Sequence, residues 1–163
     1  MFDDKQAWKK LLVRRDRKHE PLVDKLCNNK EGTKPVFTYI KDLMLFASMV
    51  GYSKNKRLAV GPENISIILE TYASDQKDAF IYLLALITEK NGTILKDEQL
   101  PSAIKIFEEY SNAGLEEIQL WLDENPADHD AVDTIIDKIY EQAIKNTNLK
   151  TSIDNPNDID VNF

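Results

Sequence analysis

The sequence is poor in the residues that build metal sites and cross-links. Among 163 residues there is one cysteine, Cys27, and two histidines, His19 and His129. One thiol cannot form an internal disulfide or a multi-cysteine zinc site, and it fits a reducing cytosol. Five glycines and six prolines are too few for a long disordered linker. Long apolar runs are missing as well. The longest, Ala79–Ile87, has nine residues, against the roughly 20 that span a bilayer. The chain opens Met1-Phe2-Asp3-Asp4, acidic where a secretory leader is basic. No P-loop, dinucleotide glycine signature or zinc-protease helix motif occurs. These absences predict a cytoplasmic protein with no membrane part and no cofactor. A chain this long hides roughly two thirds of its unfolded surface, so it needs no staple to fold.

What the chain does have is charge, unevenly placed. Residues 1–57 hold 14 Lys and Arg against 7 Asp and Glu, whereas the remainder holds 7 against 21, for a net charge of −7. Such polarity predicts a basic face for an anionic partner, or two halves that attract each other. The overall negative charge argues against strong, indiscriminate nucleic-acid binding.

Apolar spacing predicts mostly helix. Residues 4–14 suggest a short helix with Trp8, Leu11 and Leu12 on one side. Arg14–Lys18 follows as a charge run. Pro21 suits the first turn of a helix ending near Asn28, and 28–33 is a polar loop. Residues 36–50 carry Phe37, Ile40, Met44 and Ala47 at helical spacing, and Gly51 stands where a left-handed cap would end that helix. Residues 65–70, Ile-Ser-Ile-Ile-Leu-Glu, are β-branched and suggest a strand, with Leu58–Val60 or a second subunit to pair with it. Edge pairing of that kind would give a homodimer.

Ser74 or Asp75 would cap a helix over 75–90. Its centre is apolar on all sides, which predicts a position covered from most directions. Helices over 102–112 and 115–124 would be separated by Gly114 and ended by Asn125-Pro126. A last helix, capped by Asp128 or Asp130, would run to about Lys145 with Val132, Ile135, Ile136, Ile139, Tyr140 and Ala143 as its stripe. The fold expected is mainly α. It is a compact single-domain bundle of six to seven helices over 1–146, with one short strand or β-ribbon near 58–70. A polar, flexible tail covers 147–163.

Candidate chemistry is thin. No glycine elbow surrounds a serine and no motif frames Cys27, which follows an apolar stripe and reads as a small packed side chain. Asp128-His129-Asp130 reads more simply as helix capping than as a metal cluster. Asp154, Asp158 and Asp160 resemble a calcium loop but lack its glycine and closing Glu. Glu108-Glu109 and Glu116-Glu117 are carboxylate pairs on consecutive helices, and general acid–base work would need two carboxyls held across a cleft. No catalytic or metal-binding residue is assigned, and the chain is not expected to be an enzyme. Two basic clusters rise above this background. Arg14, Arg15, Arg17 and Lys18 form one, and Lys54, Lys56 and Arg57 the other. Both residue types suit phosphates. The alternative is a solvated face, or ion pairs to the acidic C-terminal half.

Three segments then occur in a telling order: the basic stretch Arg14–Glu20, the helix-forming stretch Val36–Tyr52 with Phe46-Ala47-Ser48-Met49-Val50-Gly51, and Phe107-Glu108-Glu109-Tyr110-Ser111-Asn112-Ala113-Gly114-Leu115. This order resembles the DNA phosphorothioation-associated protein 4 family, the Dnd-system-associated protein 4 family, over roughly residues 14–124. The family favours alanine, alanine and glycine where this chain has Ser48, Ser111 and Ala113, small-for-small changes that preserve packing. Arg57 matches an arginine of the family pattern.

The resemblance implies a place beside bacterial defence systems that put sulfur into the DNA backbone or restrict DNA lacking it. It supplies no catalytic residue. It implies an accessory role, exercised by binding other proteins of such a system, with DNA as a second partner through the two basic clusters. Two rivals stand beside it. One is an acidic decoy that imitates a phosphate backbone and docks on a DNA-handling enzyme. The other is a nuclease-like enzyme whose inward acids gather around a metal.

Overall fold

The computed structural model describes residues 4–28 and 34–153. The body is mainly helical, and one long helix, α5 (Leu100–Glu124), organises it. The longest shared surface is between α5 and α2 (Ile40–Ser53). α1 (Glu20–Cys27) packs on α2, and α4 (Asp78–Glu89) packs on another part of α5, reached through the one-turn α3 (Glu70–Ala73). β1 (Leu12–Asp16) and β2 (Asn64–Ile68) form an antiparallel ribbon, with Val13 opposite Ile67 and Arg15 opposite Ile65. α6 (Val132–Ile153) leaves from the end of α5. Leu26, Leu43, Met44, Ala47, Tyr72, Ile81, Phe107, Leu115 and Ile118 fill the core where these elements meet.

The predicted mainly-α class with a β-ribbon near 58–70 stands, as does the helix begun by Pro21. Several local expectations change. Residues 4–14 are a 3-10 turn, Asp4–Lys10, followed by β1, not one helix. The charge run thus supplies the strand that pairs with β2. Leu58–Val60 forms no strand, and β2 takes its partner from within the chain. β1 tolerates its arginines because alternate residues face opposite ways. Arg14 is exposed, while the buried Arg15 guanidinium is met by Glu20.

Gly51 and Gly114 are not helix ends. α2 continues to Ser53, and the left-handed residue beyond it is Asn55. α5 runs unbroken through Gly114. Both glycines serve close approach between the two helices. A Cβ on Gly51 would collide with the Tyr110 carbonyl, and one on Gly114 with the Ala47 carbonyl. Without side chains there, the two backbones come into contact. Ser111 Oγ, buried in the same seam, donates to the Met44 carbonyl at 3.2 Å.

α4 begins at Asp78, after a left-handed Gln76, and neither Ser74 nor Asp75 caps it. Asp75 instead pairs with Lys41 at 2.8 Å and Lys77 at 3.1 Å. Nor is α4 covered from most sides, since Phe80, Leu83 and Ile87 face outward. α6 outruns its predicted end near Lys145 and continues to Ile153, so residues 147–153 of the expected tail are helical. Residues 154–163, with the aspartates of the calcium-like stretch, lie outside the described residues, as does the predicted loop from residue 29 to 33.

Candidate functional site

The segment Phe107–Leu115 lies in the middle of α5, and each of its polar residues holds a different part of the chain. Arg14 and Asp16 point their backbone N–H groups toward α5, where Glu108 Oε1 accepts from Arg14 at 2.7 Å and Asn112 Oδ1 accepts from Asp16 at 3.3 Å. The spacing explains why a helix can do this. Residues two apart in a strand are separated by about 6.7 Å, and residues four apart in a helix rise by about 6 Å. Glu108 and Asn112 therefore stand in for the acceptor row of a third strand and close one edge of the ribbon.

Asn112 is fully buried, and its amide Nδ2 donates to Asp16 Oδ2 at 2.9 Å and to the carbonyls of Leu58 and Ala59 at 3.4 Å. Asp16 Oδ1 accepts from the Gly61 N–H at 2.6 Å. One side chain thus ties β1, the 58–61 segment and α5 together. His19 is buried nearby, and burial, with Lys18 adding to it, lowers its pKa below the ordinary 6.5. Burial raises the Glu108 carboxyl above 4.5, against the opposing effect of Arg14.

The carboxylates of α5 also meet the basic clusters. Lys18 bridges to Glu116. Lys54 and Lys56 both reach Glu117 at 3.2 Å, and Trp121 Nε1 donates to the same carboxylate at 3.2 Å. Arg57 Nε donates to Glu109 at 2.7 Å, and its guanidinium lies over the Tyr110 ring, 5.5 Å from the centroid. That geometry gives Arg57 a structural role. Arg15 is directed inward to Glu20. Of the seven cations singled out from the sequence, Arg14 and Arg17 alone are exposed with no carboxylate partner among the described residues. Lys18 and the whole second cluster are thus held by one helix, at sequence separations of 52 to 98 residues.

The carboxylate pairs do not face each other across a cleft. Glu108 and Glu109 hold different elements, and so do Glu116 and Glu117. Asp128 accepts from the Thr134 N–H at 2.8 Å, as a capping residue does. Cys27 is half-buried, and burial pushes its thiol up to about 11, away from the thiolate at neutral pH. Among the described residues no three His, Cys, Asp or Glu side chains gather as metal ligands, and no helix is long and apolar enough to cross a membrane.

Sequence reasoning missed the outward face of α6. Ile136, Ile139, Tyr140 and Ile144 are exposed there, and only Ile135 of the predicted stripe is buried. The stripe itself was visible. What periodicity cannot tell is whether a stripe is covered by the same chain.

These features define a class: a helical domain whose central helix uses its carboxylates to hold its own body together, with one helix left largely uncovered. The particular assignment comes from comparison. The chain matches the family model described as DNA sulphur modification system-associated protein 4 over residues 12–155, and it belongs to that family. No curated protein and no solved structure matches it. The family is associated with a DNA sulphur modification system.

Proposed function

We propose that this chain is a non-catalytic accessory protein that acts by binding another protein of the DNA sulphur modification system. The observation that carries the reading is where the reactive side chains point. Glu108, Glu109, Glu116 and Glu117 are all engaged in bonds that hold the domain together, and Arg15, Lys18, Lys54, Lys56 and Arg57 of the two basic clusters are each paired with a carboxylate. Phosphate contact by Lys18, Lys54, Lys56 or Arg57 would first have to compete with an existing carboxylate. The expected result of mixing the purified chain with each purified protein of the system is a stable complex with one of them, read by size-exclusion chromatography with light scattering. Separate elution from all of them would remove the reading.

Arg14 and Arg17 favour a second reading, DNA contact at and just after β1, because both are exposed and neither forms a salt bridge to a carboxylate among the described residues. Replacing both with Ala would then flatten the salt dependence of duplex binding by about two units of slope. An unchanged slope would end it.

A further inference from the structure

α6 is attached to the body at its first turns. Asp128 caps it, Asn125 donates to Thr134 Oγ1 at 3.0 Å, and Lys138 bridges to Glu124 at 3.6 Å. Ala131, Thr134 and Ile135 are buried at this root. Beyond it the apolar residues face outward, Ile136 at 57% exposure, Ile139 at 49% and Tyr140 at 66%. Their spacing of three and four residues puts them on one side of the helix. On the other side of α6, Lys138, Gln142 and Lys145 line a groove of about 410 Å³ against Phe46, Met49, Val50 and Trp121, and Ile139 reaches it from the edge of the exposed stripe.

The surrounding charge says what fits there. From Asp123 to Glu141 the chain carries seven carboxylates and one lysine. That lysine, Lys138, is already bridged to Glu124 and Glu141. Lys54, at the groove, is held by Glu117, and Lys145 is the exception at the far end. A second copy would bring the same acids against these, and DNA would be repelled in the same way. A cationic apolar helix would be attracted. α4 also shows Phe80, Leu83 and Ile87, but no charged rim there indicates what covers them.

We propose that the exposed face of α6 is a docking surface for an amphipathic helix of a partner protein. The helix would have an apolar stripe flanked by Arg or Lys and would lie along α6. This rests on the protein-binding reading above and specifies its surface. Two synthetic helical peptides test it on the full chain, both with leucines at three- and four-residue spacing. One is flanked by arginines and the other by glutamates. Titration calorimetry should show the arginine peptide binding at least about tenfold more tightly than the glutamate peptide. The double substitution Ile136→Asn with Tyr140→Gln should weaken the arginine peptide about tenfold or more while leaving thermal unfolding unchanged.

Equal binding of the two peptides, or full binding to the double variant, overturns the proposal. A dimer by light scattering that the same substitutions dissolve also overturns it, because a second copy would then be the occupant. The same variant separates this proposal from the broader reading. If a protein of the system binds wild type and variant alike, the α6 surface is wrong and protein binding stands. If the arginine peptide binds as expected while no protein of the system does, the surface stands and the broader reading falls.

Discussion

The seam between α2 and α5 and the free face of α6 are both helix surfaces rich in apolar residues, and they are built in opposite ways. In the seam, Ala47, Gly51, Ser111 and Gly114 are small enough for backbone to touch backbone. On α6, Ile136, Ile139 and Tyr140 are large and are left about half or more exposed. The seam is closed by its own sequence, and the α6 face is open to another. The family-like segments fall on the seam and the Asn112 hub. The residues that give the resemblance its specificity therefore build the body, and the outward helix is the place to look for partners.

Breaking the seam should have the largest effect. Gly114→Ala forces a methyl into the Ala47 carbonyl, and no flexible side chain is there to yield. A loss of about 3 kcal/mol is expected, seen as a fall of about 6–12 °C in thermal midpoint. An unchanged midpoint would mean that the helices are not so close. Next is Asn112→Ala, which leaves Oδ2 of the half-buried Asp16 carboxylate without its Asn112 donor and the Asp16 N–H without its acceptor. It should cost about 2 kcal/mol, measured by urea unfolding.

The Glu108 carboxyl sharpens the contrast through pH. Its folded pKa is raised above 4.5, chiefly by burial, so the native state holds the proton more firmly than the unfolded chain does. Its contribution to stability is present in full below pH 4.5 and is lost as pH rises through the raised value. The stability of wild type minus that of Glu108→Gln should fall across that window. A flat difference would place the carboxylate in a more polar setting. Arg57→Ala comes next, at about 1 kcal/mol or less, because the Arg57 side chain is 37% exposed and its pair with Glu109 is open to solvent on that side. On α6, Ile136→Asp should change stability by less than about 0.5 kcal/mol, the smallest effect of the series.

The sequence shows apolar spacing well and closure poorly. The bounds of α1, the presence of α2 and the strand at 64–68 are close to what spacing and turn residues predict. β1 is not, because Arg15 breaks the apolar alternation and is tolerated only through Glu20. Gly51 and Gly114 look the same in sequence whether they end a helix or admit another one. Two possible fates of the basic clusters were apparent, a phosphate partner or the chain's own acids. The ion pairs of Lys18, Lys54, Lys56 and Arg57 join residues far apart in sequence, where local pattern has no reach.

The most direct measurement is amide hydrogen exchange on the full chain, alone and with whichever protein of the sulphur modification system forms a complex with it. Slowed exchange across residues 132–148, with the Asn112 hub unaltered, is the predicted result. Protection confined to 14–18 and 54–57, with α6 exchanging as it does alone, would contradict the account.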